Sequence, residues 1–379
     1  MNEDRATRYH RQKRRSRVAG VVGGGVLLAA FWFSGASVAL RDLAVRTAFA
    51  LPVPASWHHA LVVAFYVAGL CTAAELLACP LAVHRGYLLD RRYGLSAQPF
   101  PRWMADYVKG AGLALGLALA AASLAYAWLR WWPSWWWVPT GALLVAGTVG
   151  LAFLAPILLF PLFFKLRPLG RDALLHRLEA LVERAGVPVI GIYEWRLGDR
   201  TRAANAALVG LGRTRRILVS DTLLAAYSED EIEVVLAHEL AHHVHGDLWK
   251  ALAVDAVLTT GALGAGHLAL GLAAGVGGLA STADVAGLPI LLLGAAAWSA
   301  ATLPLVNGLS RAHERRADRF ALELTGNPEA FIAAMRRLGA QNLAEEAPSR
   351  VTRWIFHSHP PLPERVLAAR DWMRQRAGA

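Results

Sequence analysis

Six stretches of the chain run with almost no charge: residues 18–40, 60–83, 111–129, 138–164, 256–280 and 286–306. At about 1.5 Å of rise per helical residue, each is long enough to cross a hydrocarbon layer of roughly 30 Å. Glu75 is the one acidic residue inside them and is expected to face other helices rather than lipid. Elsewhere the pattern changes. Residues 172–185 repeat apolar positions at helical spacing, Gly186-Val187-Pro188 breaks that helix, and 189–195 reads as a strand. A hairpin is predicted from 203–209 and 215–220, turning at Gly210-Leu211-Gly212. Ser228-Glu229-Asp230-Glu231 is a capping box that opens another helix. Further helices are expected at 309–325, 328–344 and 362–376, with Gly326 and Asn327-Pro328 separating the first two.

Composition agrees with a membrane chain. Its 379 residues are 55% apolar and 18% charged, against about 25% charged in a soluble domain. Two cysteines, Cys71 and Cys79, exclude a disulfide scaffold and read as small packing residues. The net charge of +11 is sided. Residues 1–17 hold seven Lys or Arg, and the segments 84–103 and 165–177 four each. Segments 41–59, 130–137 and 281–287 hold two, one and none. This alternation predicts both termini and the long polar regions in the cytoplasm. The basic tail reads as a membrane flank and not as a nucleic-acid arm.

The helix opened by Ser228 carries His238-Glu239-Leu240-Ala241-His242. Residues four apart share a helix face, so both imidazoles can reach one metal, with Glu239 beside it as a proton acceptor. A catalytic site of this kind needs a third protein ligand and an open position. His245 shares the face of His238 but lies on the same straight helix. The segment 307–318 offers Glu314 and Asp318, four apart, which are either metal-site residues or a salt-bridged face with Arg311, Arg315 and Arg316. The last two spans form a hairpin that returns Glu314 to the membrane face of His242.

These residues resemble the type I CAAX prenyl protease family of integral-membrane zinc endopeptidases and its bacterial heat-shock membrane protease relatives. Beyond His238–Glu239–His242, the match includes Asn307, Ser310, Arg311, Glu314, Ala317 and Asp318 in one segment. It also includes Asn205-Ala206 ahead of 216–224, and His359-Pro360-Pro361-Leu362. The resemblance implies one Zn²⁺ per chain, held by His238, His242 and Glu314, with Glu239 as general base. It implies that Asp318 orients a ligand histidine, that Asn205 borders the substrate-pairing strand edge, and that His359 and Arg311 steady the oxyanion. Eukaryotic members have seven spans around a large chamber, whereas six are counted here.

The expected fold is therefore a mainly α, multi-pass membrane helical bundle with a cytoplasmic zincin-like α+β catalytic region. Residues 1–17 form a basic cytoplasmic tail, 18–164 a region of about four spans, and 165–379 the metallopeptidase region with two further spans. The expected activity is hydrolysis of a peptide or protein substrate, lipidated or membrane-inserted, in contact with the bilayer and without nucleic acid. C-terminal processing of CAAX type and quality-control cleavage of heat-shock type are the two substrate branches. A membrane sensor or scaffold with a structural zinc site, closed by His245, is the reading from another class.

Overall fold

The computed structural model describes residues 4–154, 162, 164–210 and 212–378. The end of the predicted fourth span (155–161 and 163) and the turn residue Leu211 lie outside these. Helices α1 (Arg5–Phe33), α2 (Ala36–Phe49), α3 (Ala55–Val83), α4 (Leu89–Arg92), α5 (Phe100–Trp131) and α6 (Trp137–Leu154) make up the first half. Among the described residues, six helical stretches are long and apolar enough to cross a membrane, four in this half and two later. Many of their large apolar side chains, Val21, Val26, Leu76 and Leu268 among them, point outward, as lipid-facing residues must.

Two details differ from the pattern read along the sequence. The basic residues before 18 are not a separate tail: α1 begins at Arg5 and carries them on the helix that becomes the first apolar run. That run is broken at Ser34-Gly35 before α2, not continued to residue 40. After α3, residues His84–Leu88 form a π-helical turn that leads into α4.

The second half begins with β1 (Leu166–Pro168) and α7 (Asp172–Ala185). Leu174, Leu178, Leu181 and Val182 fall on one face of α7 and are buried, which is why this amphipathic segment docks. Strands β2 (Ile192–Trp195), β3 (Ala206–Val209) and β4 (Arg216–Ser220) join β1 in one sheet of order β1-β2-β4-β3. The expected hairpin is present: Ala206 pairs with Val219 and Val209 with Arg216, antiparallel. Strands β2 and β4 are parallel, and β3 is left as a free edge.

Helix α8 (Asp221–Ala226) leads into α9 (Glu229–Val244), the helix that carries the two motif histidines. The Ser228 hydroxyl accepts from the Glu231 amide at 3.3 Å, and the Glu231 carboxylate accepts from the Ser228 amide at 2.8 Å. This reciprocal cap satisfies amide groups that a helix N-terminus otherwise leaves unbonded. Ile232, Val234, Val235, Leu236 and Leu240 then bury α9 in a core shared with the sheet, α7, α12 (Pro328–Gln341) and α14 (Leu362–Ala377).

At the other end of α9, Gly246 takes φ +65°, a conformation that suits glycine, and turns the chain into α10 (Asp247–Ala273). Helix α11 (Leu288–Thr325) returns along α10 as one unbroken helix of 38 residues. The sequence pattern divides it into a span and a second helix at Asn307-Gly308. No break occurs there, because the buried Asn307 amide donates to the carbonyls of Trp354 and Ile355, at 3.1 and 2.7 Å. Helices α10 and α11 touch backbone to backbone: a Cβ on Gly294 would lie 2.7 Å from the Ala265 carbonyl oxygen. That close crossing fixes where α11 meets α9. A short helix, α13 (Arg350–Phe356), lies against α11.

Candidate active site

The site forms where α9, the start of α10 and the late turns of α11 meet. One ligand atom each from His238, His242 and Glu314 lies within 4.8 Å of the others. Nε2 of His238 is 3.2 Å from one Glu314 carboxylate oxygen, and Nε2 of His242 is 3.5 Å from the other. Oε2 of Glu314 is buried yet makes no hydrogen bond of acceptable geometry, although His238 and His359 both approach it. Two imidazoles and a carboxylate that converge without satisfying one another are the donor set of a three-ligand metal site. The residues present therefore fit a divalent cation.

The outward nitrogens of both histidines are held as well. Nδ1 of His238 lies 2.9 Å from Asp318, and Nδ1 of His242 lies 3.0 Å from Asp247. A carboxylate behind each imidazole fixes the ring and leaves Nε2 free for a metal. Asp318 is itself gripped by Arg365, whose Nε donates to Oδ2 at 2.8 Å and whose Nη2 donates to Oδ1. Asp247 also meets Arg316, His313 and Lys250.

In this charged setting His238 does not titrate as an ordinary imidazole. Burial alone would lower its pKa, but the Asp318 and Glu314 carboxylates outweigh that and raise it to about 9 in the metal-free protein. Burial pushes the Glu239 carboxyl up, against the pull of His238 and His242. Glu239 makes no hydrogen bond or ion pair among the described residues, so its carboxylate is available to accept a proton.

Comparison with known proteins agrees with this geometry. Residues 169–373 match the model of peptidase family M48, and residues 2–165 match that of the CAAX prenyl protease N-terminal region, described as five membrane helices. The chain belongs to peptidase family M48. It is a membrane-embedded metalloendopeptidase with a catalytic metal. It is 27% identical over 292 residues to the uncharacterized metalloprotease YhfN of Bacillus subtilis, covering 75% of this chain and 68% of that one. CAAX prenyl protease 1 of Saccharomyces cerevisiae is 25% identical over 321 residues, covering 79% and 70%. The protease HtpX of Xylella fastidiosa is 31% identical over 209 residues, covering 51% and 70%. The crystal structure of S. mikatae Ste24p superposes with a TM-score of 0.82 at 21% identity, covering 96% of this chain and 88% of that one. That last likeness concerns the fold.

The remaining predicted residues of this M48 peptidase fall at different distances from the group of His238, His242 and Glu314. Nδ1 of His359 is 2.8 Å from Glu314, and the side chain is 63% exposed, so it can meet a bound substrate. Arg311 is buried, and its Nη1 donates to the carbonyls of Arg353 and His357, at 3.0 and 2.6 Å. It braces the segment that delivers His359. Asn205 is exposed at the start of the free edge strand β3; its backbone amide donates to the Ser220 hydroxyl at 2.9 Å. His245 is not in the group: its ring packs edge-on against Phe320.

Asp247 and Arg365 were not among the residues singled out from the sequence. Asp247 follows the helix-ending Gly246, and Arg365 follows His359-Pro360-Pro361 by a few residues. A rule that each ligand histidine seeks a carboxylate at its other nitrogen would have directed attention to Asp247.

Proposed function

We propose that this peptidase holds one Zn²⁺ with His238, His242 and Glu314 and cleaves lipidated or membrane-inserted peptides near their C-termini. The convergence of those three ligand atoms, with a carboxylate behind each imidazole, is the observation that carries the reading. The two-histidine, one-carboxylate donor set supports zinc.

His238, His242 and Glu314 would hold the cation, which would supply Lewis-acid polarisation of the scissile carbonyl and a more acidic water. Glu239 accepts the proton of that water on its carboxylate and passes it to the leaving amine. In the metal-free protein burial holds its carboxyl above the ordinary range, which strengthens it as the proton acceptor. His359 donates to the developing oxyanion, and Arg311 keeps the His359 segment in register. Asp318 and Asp247 keep the ligand imidazoles in the tautomer that points Nε2 inward. The substrate lies extended along the free edge of β3, from Asn205 onward, adding a strand to the sheet. The sided distribution of Lys and Arg supports a cytoplasmic site with both termini on that side.

A second reading, quality-control cleavage of misfolded membrane proteins, is favoured by the likeness to HtpX proteases over 209 residues. A farnesylated and an unfarnesylated version of one peptide, assayed with detergent-purified enzyme, separate the two. Metal analysis beside a peptide assay on wild type, Glu239→Gln and Glu314→Ala tests the mechanism. Glu239→Gln keeps the metal and loses turnover; Glu314→Ala loses both. Full turnover in Glu239→Gln would refute the assignment.

A further inference from the structure

The basic N-terminal segment does more in this structure than flank a membrane span. His10, Lys13, Arg14 and Arg17 recur at i, i+3, i+4 and i+7 of α1 and therefore share one helix face. That face lines a cavity of about 390 Å³, together with Arg85 and the segment Phe356–His359. The cavity falls within the range of ligand pockets, about 300–1,000 Å³. Four of its nine lining residues are Lys or Arg, three are His, and none is acidic. One wall is His359, which touches Glu314, so the cavity opens directly beside the metal ligands.

The pocket is held in place by bonds behind it. Tyr9 donates to Asp90 at 2.7 Å, Arg14 is paired with the buried Glu345, and Nε2 of His10 meets the Leu343 carbonyl at 2.7 Å. Leu343 has φ +51°, the one positive value outside glycine among the described residues. A strained residue turned toward α1 belongs to a built contact, not to an incidental one. Lys13 and His357 are likewise paired, with Asp90 and Glu345. Arg17 and Arg85 are different: among the described residues neither has a carboxylate partner. Arg85 sits in the π-helical turn His84–Leu88, a distortion that re-aims side chains and is frequent at functional sites.

We infer that this pocket binds the C-terminal carboxylate of the substrate, with Arg17 and Arg85 as the specificity-determining cations. The inference rests on the peptidase reading given above. A peptide lying across the metal extends both ways from its scissile carbonyl, and its two ends carry opposite charge. A pocket whose lining carries four Lys or Arg and no acidic residue disfavours the ammonium end and accepts the carboxylate end. Three extended residues span about 10 Å, so a short leaving fragment places its terminus beyond His359. Arginine forks match carboxylate geometry with paired hydrogen bonds. The pocket thereby measures how far the scissile bond lies from the end of the chain.

The probe is the tripeptide Val-Ile-Ala, as free acid and as C-terminal amide. Each is titrated calorimetrically into zinc-loaded, full-length Glu239→Gln protein in detergent. The acid is expected to bind at least about tenfold tighter than the amide, the loss that a charge-assisted hydrogen bond predicts. Adding Arg17→Gln with Arg85→Gln should abolish the preference, while Arg17→Lys with Arg85→Lys should keep part of it with unchanged zinc content. Equal binding of acid and amide, binding of neither, or a preference untouched by the Gln pair would each overturn the proposal. So would competition by phosphatidylglycerol with no acid preference, which would assign the cations to a lipid phosphate. Cleavage of a farnesylated peptide ending Cys-Val-Ile-Ala by wild type tests the peptidase reading separately: cleavage without acid preference refutes the pocket, and acid preference without cleavage refutes the function alone.

Discussion

Asp318 performs two jobs that a pair of substitutions can separate. It faces Nδ1 of His238 at 2.9 Å and is also the partner of Arg365. Both members of that pair are inside the protein, with side-chain exposures of 6% for Asp318 and 15% for Arg365. Asp318→Asn leaves the guanidinium buried without its counter-charge, a loss of roughly 3–5 kcal/mol for a buried pair deprived of one partner. It also removes the negative charge behind His238, which weakens metal affinity by roughly 10- to 100-fold, or about 1.4–2.8 kcal/mol. The double variant Asp318→Asn/Arg365→Gln removes both charges together. It is expected to recover most of the stability and none of the metal affinity. The assays are thermal unfolding of the chelator-stripped protein in detergent and zinc competition with a chromogenic chelator. If the double variant bound zinc as wild type does, Asp318 would act only through Arg365 and the orienting role would be wrong. If Asp318→Asn cost under about 1 kcal/mol, the pair would not be a buried one in the energetic sense.

Three further outcomes follow from the same geometry. Glu239→Gln should keep the metal and lower turnover by roughly 10²- to 10⁴-fold, the range for a general acid–base group, measured by metal content and peptide cleavage on one sample. Zinc should bind more tightly as pH rises, by up to about tenfold per unit, because a proton competes for His238; the gain should level off near the raised pKa of about 9. The linked effect on the metal-free fold has the opposite sign: the charged His238 stabilises it fully below its ordinary pKa of 6.5, and this support is lost as pH climbs through about 9. Gly294→Val should push α10 and α11 apart at the Ala265 carbonyl, lowering stability by about 1–3 kcal/mol and weakening zinc binding, since Glu314 rides on α11 and His242 on α9, which Gly246 joins to α10; thermal unfolding and zinc content measure the two effects.

How much of this was legible in the sequence depended on the range of the interaction involved. Helix α7 was readable because its apolar repeat is strong and Gly186 ends it. The start of α9 was readable because a capping box is a local signal, satisfied within three residues. The hairpin β3–β4 was readable for the same reason. Strand β1 was not: three residues, one of them proline, carry no periodicity, and its partner β2 lies beyond α7. The unbroken course of α11 was hidden because Asn307-Gly308 looks like a stop. The bonds that satisfy Asn307 come from α13, 47 and 48 residues away. In the site, spacing alone put His238 and His242 on one face. Glu314 came from a motif resemblance, and the structure brings its carboxylate to both Nε2 atoms. Arg365 could not be found by either route, since its contact with Asp318 spans 47 residues and follows no helical or strand period.

The N-terminal helix shows the same limit from the functional side. Counted along the chain, its seven Lys and Arg residues are a topogenic signal, and nothing in a count distinguishes one from another. Wound into α1, they divide by face. Arg11 and Arg15 are exposed and do not line the cavity beside His359, whereas the half-buried Lys13 and Arg14 and the exposed Arg17 do. Of the contacts that anchor this face, Tyr9 to Asp90 stays within the membrane half of the chain, whereas Arg14 to Glu345 and His10 to the Leu343 carbonyl join that half to the peptidase half. A site assembled only from residues 169–373 would lack its most basic wall. Separating the halves would therefore leave the group of His238, His242 and Glu314 complete and remove the surface proposed to recognise the end of the substrate.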